Sequence, residues 1–360
     1  MKRISLFVSL FLVVVGAHAQ SIAPKYSNEF LHLGVGARGL GMAQSQVASV
    51  NDVTAGYWNP AGLLGMKAKL DGALMHNEYF GGISKYDYVA VGKKIDTASA
   101  VGVSLLRFGV DDIPNTIDLY DPNGNVDYSR VTTFNAADYA MIVSYARKGL
   151  PYVKKAWVNK LQWGGSAKVI YRNIGSFANA FGFGFDLGAQ YRGKHLLLGA
   201  VVRDVTSTFS AWSFTLGQNA VSVFNQTGNA LPKNGLELSL PRAILGVGYQ
   251  TTFLKKYSVL AETNIRVTTD GRRNDLITSS VFSIDPSAGL EFGYMNTIFF
   301  RAGVGNFQRE TDFDNQKYTT FQPNLGVGIR LRKWFIDYAI SNVGSSSLLP
   351  SNVFSLKFVI

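Results

Sequence analysis

The sequence predicts an all-β protein, a transmembrane antiparallel β-barrel of about fourteen strands with an N-terminal hatch in its lumen. Three observations predict it. Apolar and polar residues alternate along most of the chain after residue 66. The connections between the alternating runs are long and short in turn. The composition, with 37 Gly, 24 Phe and 17 Tyr, suits tight turns and interfacial aromatic girdles. No run after the leader reaches the roughly 18 uninterrupted apolar residues of a membrane helix.

The chain begins with a basic pair, Lys2 and Arg3, an apolar core over Ile4–Val15, and the small-x-small triplet Ala17-His18-Ala19. That order predicts a cleaved secretory signal peptide over residues 1–19, with the mature chain starting at Gln20. No Cys follows the cleavage signal, so no lipid anchor is expected. With 0 Cys in the whole sequence, stability has to come from packing and from closed hydrogen-bond ladders.

Residues 20–29 read as a polar tail and Phe30–Met66 as the hatch. It starts Gly-rich, passes through a short helical stretch and ends in Trp58-Asn59-Pro60-Ala61-Gly62. Strands are predicted over 67–77, 85–94, 98–109, 135–147, 160–173, 180–192, 195–204, 238–251, 256–267, 284–294, 297–306, 321–332, 333–343 and 352–360. Phe183, Phe185 and Leu187 oppose Gly182, Gly184 and Asp186; Leu325, Val327 and Ile329 oppose Asn324, Gly326 and Gly328. A soluble sandwich alternates too. The connections discriminate: 110–134, 205–237, 268–283 and 307–320 are long, whereas 192–195, 252–255, 294–297 and 332–333 are tight. Long loops at one end and short turns at the other mark an outer-membrane barrel. The connection 148–159 is long on the short side and reads as a basic interfacial helical turn. The last strand keeps Phe354, Leu356, Phe358 and Ile360 on one face, as closure against the first strand requires.

The net charge of +11 does not gather into one patch, which argues against nucleic acid as a partner. Lys93, Lys94, Arg147, Lys148, Lys154, Lys155, Arg192, Lys194, Lys255, Lys256, Arg332 and Lys333 fall on the short-turn side. The expected partners are outer-membrane lipids and lipopolysaccharide, through their phosphates.

The sequence gives no catalytic constellation, cofactor or metal site. His32, His76 and His195 have no metal-ligand spacing. Gly34-x-Gly36-x-x-Gly39 spells a dinucleotide fingerprint without its strand–helix context; those glycines read as close packing inside a barrel. Lys168, Arg172, Asp186, Arg242, Glu262, Arg266, Glu291, Arg301, Arg330 and Asp337 fall on the inner face, either as salt-bridged layers holding the hatch or as a substrate path. Asn59-Pro60-Ala61 predicts a rigid turn that sets how the hatch enters the barrel. The candidate hatch and gating residues are Gly36, Arg38, Gly39, Gly41, Asn59, Pro60, Ala61 and Gly62. Phe209, Trp212, Phe214 and Leu216, in the apolar loop stretch 205–223, are candidates for a ligand or partner site.

Gly36-Ala37-Arg38-Gly39-Leu40-Gly41-Met42, followed by Ala48 to Leu63 with its Asn59-Pro60-Ala61, resembles the N-terminal signature of the PorV/PorQ family. Where that signature has a second Gly pair and paired acids, this chain has Ala43-Gln44 and Asn51-Asp52. The resemblance implies a FadL-like fourteen-stranded outer-membrane barrel plugged by its hatch. It also implies a non-enzymatic role in type IX secretion, binding translocon subunits and the C-terminal signal domains of cargo through loops 110–134 and 205–237. The alternative is a FadL-like transporter of hydrophobic small molecules, holding a lipid or detergent-like ligand. That reading requires a lateral opening and an apolar pocket near the outer end.

Overall fold

Alternation in the sequence becomes a closed wall. The computed structural model describes residues 26–121, 123–149, 160–341 and 350–360. The leader, and all but the first two residues of the connection 148–159, lie outside them. The strands are β1 Leu70–Tyr79, β2 Ser84–Lys94, β3 Ser99–Asn115, β4 Thr132–Lys148, β5 Leu161–Ile174, β6 Ala178–Arg192, β7 Leu196–Arg203, β8 Thr208–Phe214, β9 Gly235–Ser239, β10 Arg242–Phe253, β11 Tyr257–Thr268, β12 Ile277–Thr278, β13 Ser283–Tyr294, β14 Ile298–Thr311, β15 Lys317–Leu331, β16 Trp334–Ser341 and β17 Ser351–Val359. Pairing runs from β1 to β7, then through β10, β11 and β13 to β17, and returns to β1: a ring of fourteen antiparallel strands. The ring closes from Asp71 against Val359 to Glu78 against Asn352, so no edge is left unpaired in the wall.

The period-2 pattern fixes which side faces in. On β6 the glycines 182 and 184 and Asp186 are buried, while Phe183, Phe185 and Leu187 are exposed on the outside. Inverting that pattern would put a ring of phenyl groups into the lumen and a carboxylate into lipid. At the short-turn end, Leu254-Lys255 and Met295-Asn296 each place two successive residues at positive φ. Paired left-handed residues give the two-residue turn whose twist matches a hairpin.

The structure departs from the expected loop 205–237. Its first part is β8, its last part β9, and between them lies helix α1, Gln218–Gln226. β8 and β9 extend the β7/β10 hairpin at the long-loop end. β6 pairs with β7 through Leu187–Arg192 and with β8 through Ala178–Phe183. In the interval Asp204 and Ser207 take left-handed φ. Lys168 fills the seam, 2.7 Å from Asp186 and 2.6 Å from Asp204. The sequence obscured this strand because the break at Asp204–Ser207 interrupts the alternation.

Candidate functional site: the N-terminal segment and the wall around it

Residues 29–66 fold as short pieces: a 3-10 turn Glu29–His32, helix α2 Ala37–Gly41, helix α3 Ala55–Trp58, and a 3-10 turn Pro60–Gly65. None reaches the length at which a helix holds itself. Each is held by the surrounding wall, and nearly the whole segment is buried.

Two kinds of wall meet it. On the side of β1–β5 and β17 the contact is apolar. Met75, Tyr86, Tyr88, Leu106, Ile142, Ile170 and Val353 form one core with Phe30, Leu31, Leu40, Tyr57, Trp58, Leu63 and Met66. Trp58 is 2% exposed and its ring nitrogen donates to the Val35 carbonyl at 3.0 Å. On the side of β6–β15 polar contacts stand beside two small apolar clusters, Met42 and Ala48 with Leu197 and Leu260, and Val47 with Val201 and Ile244. Gln190 donates to the Val47 carbonyl at 2.9 Å, and Glu262 accepts the Ala48 N–H at 2.7 Å. Arg203 donates to the carbonyls of Leu31 and Tyr57 and stacks on the Tyr57 ring at 4.6 Å.

Arg38 pairs with Glu291 at 2.8 Å; Arg301 bridges Glu291 and Asp337, each at 2.7 Å. Arg242 reaches Glu29 at 3.0 Å, Arg266 reaches Asp285 at 3.2 Å, and Arg172 reaches Asp138 at 2.9 Å. The inner-face residues read from the sequence are therefore largely paired layers. On β17, Lys357 binds Asp52 at 2.7 Å. Burial alone would raise the Asp52 carboxyl; the Lys357 ammonium and the Thr54 hydroxyl outweigh it and hold Asp52 well below the usual carboxylate range.

The predicted turn residues sit at the centre of this contact. Asn59 is fully buried, and its side-chain amide donates to the carbonyls of Val47 at 3.0 Å, Ala189 at 3.0 Å and Ala200 at 3.4 Å, while its oxygen accepts from Ala61 N–H at 3.3 Å. It thus joins the segment to both β6 and β7. Pro60 occupies the first position of the following turn, where its missing N–H is not needed. Gly36 caps α2 at φ 79°, and a side chain on Gly62 would strike the Val50 carbonyl. Gly39 abuts Gln46 and Trp58, and Gly41 lies against Gly326 of the wall. The wall uses the same device: a Cβ on Gly199 would lie 2.5 Å from the Val47 oxygen, and one on Gly164 2.7 Å from the Ala61 nitrogen.

The four aromatic and aliphatic candidates of the long connection do not gather into one pocket. Phe209 packs on Phe183 at the outer face. Trp212 turns the other way, with Arg172 4.9 Å from its ring, and stacks on Phe214. Leu216 follows the strand, just before α1. Strand alternation splits what a loop would have brought together.

Free space lies elsewhere. Toward the long-loop end a polar cavity of about 320 Å³ is bounded by Glu29, His32, Gln44, Arg266, Asp285 and Asn306. Toward the short-turn end a second of about 140 Å³ lies among Lys67, Asp71, Arg330, Phe335 and Lys357. A larger concavity, about 830 Å³, is a groove on the outside of the wall across β16, β17 and β1–β5. Leu74, Val89, Leu105, Met141, Val169 and Phe354 line it, all exposed. At one end a polar row runs in register, His76 opposite Asp87 opposite Arg107 opposite Tyr139. The His76 ring and Asp87 are 2.7 Å apart, and Arg107 lies 3.6 Å from Asp87. Sequence spacing offers His76 no partner, because only the strand register brings Asp87 beside it.

The groove backs directly onto the N-terminal segment. The Gly36 N–H donates to the Met75 sulfur at 2.9 Å and the Ala37 N–H to the Ser355 hydroxyl at 3.0 Å. Both partners belong to strands that form the groove floor.

No protein-family model matches the chain, and no curated protein matches it. Solved structures do. The Ralstonia pickettii toluene transporter TbuX superposes with a TM-score of 0.53 at 15% identity, over 91% of this chain and 98% of that one. The monoaromatic hydrocarbon channel CymD gives 0.52 at 12% identity, over 91% and 98%. A Pseudomonas aeruginosa FadL homologue gives 0.50 at 13% identity, over 90% and 97%. At these identities the likeness is one of fold: this chain has the FadL-like outer-membrane barrel.

Proposed function

We propose that this barrel is an outer-membrane transporter of hydrophobic small molecules and that residues 29–66 are its gate. One observation carries the reading. The apolar half of the inner wall is covered by the N-terminal segment, and the same strands carry the apolar groove on their outer face. Displacing the segment would bare Met75, Tyr86, Tyr88, Leu106 and Ile142 to the lumen, a surface on which an apolar molecule gains roughly 25 cal/mol per Å² over water. The fold shared with a toluene transporter and a monoaromatic hydrocarbon channel supports it.

The test uses the absence of native Cys. Ala37→Cys with Ser355→Cys puts a thiol on each of two residues already in contact, the Ala37 backbone N–H lying 3.0 Å from the Ser355 hydroxyl. Oxidation is expected to stop entry of toluene or a hydrophobic dye into cells carrying the barrel, and reduction to restore it. Equal entry in both states would end the gate reading.

A second reading follows from the PorV/PorQ-like signature over 36–63: a type IX component holding translocon subunits or cargo signal domains. The exposed aromatics Tyr128 and Phe313 at the long-loop end favour it. Neither a family model nor a curated relative supports it, so it stands second. A pull-down from outer membranes that recovers neither partner class would dismiss it.

A further inference from the structure

We propose that the short-turn mouth of the lumen is an oxyanion-binding site formed by Lys67, Arg330 and Lys357. The three line the cavity of about 140 Å³ beneath the N-terminal segment, together with Arg38 and Phe335. The Arg330 guanidinium lies 4.8 Å and the Lys357 ammonium 4.3 Å from the centre of the Phe335 ring, so one aromatic positions two cations. Among the described residues, Arg38 and Lys357 have carboxylate partners, whereas Lys67 and Arg330 have none within ion-pair distance. Asp71 is the lining carboxylate without an ion pair. Two unpaired cations against one unpaired carboxylate leave the cavity positive. Lys67, ahead of the first strand, registers that excess: burial first, then Arg330, Lys357 and Arg38, lower its pKa.

The surroundings reinforce the sign. The adjoining turns carry Lys93, Lys94, Arg192, Lys194, Lys255, Lys256, Arg332 and Lys333, a basic collar that draws anions toward the mouth. The cavity suits a small tetrahedral or planar oxyanion, with Arg330 offering a forked pair of donors and the two lysines point charges. A phosphate group fits this chemistry whether free or carried by a lipid.

The experiment titrates the intact barrel in neutral detergent with inorganic phosphate and, separately, with a short-chain phosphatidic acid, by calorimetry. Saturable binding of at least one is expected, weakened about tenfold or more in Lys67→Gln and in Arg330→Gln and unchanged in Lys256→Gln on the collar. Each variant is first checked for heat-modifiable migration, so a misfolded barrel is not scored. Binding of phosphate assigns a free ion; binding of the lipid alone assigns a headgroup. No saturable binding of either, full affinity in both site variants, or equal weakening by Lys256→Gln overturns the proposal.

Discussion

The two sides of the N-terminal segment are held by different physics. Against β1–β5 and β17 it is held by Trp58, Tyr57, Leu63 and Met66 pressed into aromatic and aliphatic wall. Against β6–β15 it is held by Asn59, Arg38 and backbone groups that meet Gln190, Arg203, Glu262 and Glu291. Apolar contact is non-directional and tolerates sliding. Hydrogen bonds and ion pairs are directional, and each buried group left unpaired costs about 1–3 kcal/mol. The apolar contacts therefore supply adhesion and the polar contacts set where the segment stops. The segment can slide on the first only after releasing the second.

Substitutions can break this contrast. The largest effect is expected from Trp58→Ala, which empties a buried site and should lower unfolding free energy by about 3–5 kcal/mol in urea titration. Arg301→Met should come next, at about 3 kcal/mol, because Glu291 loses one of its two cations and Asp337 loses its ion pair with Arg301. A barrel unmoved by Arg301→Met would show that the polar side sets nothing. Asn59→Ala should cost about 1–3 kcal/mol and loosen the segment with the wall intact, read as faster proteolysis within 29–66.

A pH dependence sharpens the polar side. His32 is buried, and burial followed by the cations Arg242 and Arg203 lowers its pKa well below the ordinary value. The folded protein therefore keeps His32 neutral where the unfolded chain takes up a proton. Stability should be unaffected by this group above its unfolded pKa of about 6.5 and should fall as pH drops below it. His32→Gln should flatten the unfolding midpoint between about pH 6.5 and 5; an unchanged slope would assign it elsewhere. Smallest of all, His76→Ala on the outer row should change stability by under about 1 kcal/mol, because that pair is half exposed.

The wall was legible in the sequence because a strand's faces alternate with a period of two, and that period survives without knowledge of its neighbours. All fourteen wall strands fall close to the predicted runs. β8 and β9 were not legible, since a kink at Asp204–Ser207 and Pro241 breaks their alternation. The importance of Asn59 was legible from the Asn-Pro turn, but its partners were not: Ala189 and Ala200 lie more than a hundred residues away and offer only carbonyls. The outer row and the cation cluster at the short-turn mouth are products of register and closure, which no local pattern encodes.

The N-terminal segment also has a place in time. Ala37 is tied to Ser355 and Asp52 to Lys357, both on the strand made last. The segment thus cannot take its final position until the last strand has arrived. Until then those residues remain an unplaced, largely apolar stretch, and closure of the ring and seating of the segment become one step. A chain that stops short of Ser351 would lose its seam and the anchor of its N-terminal segment together.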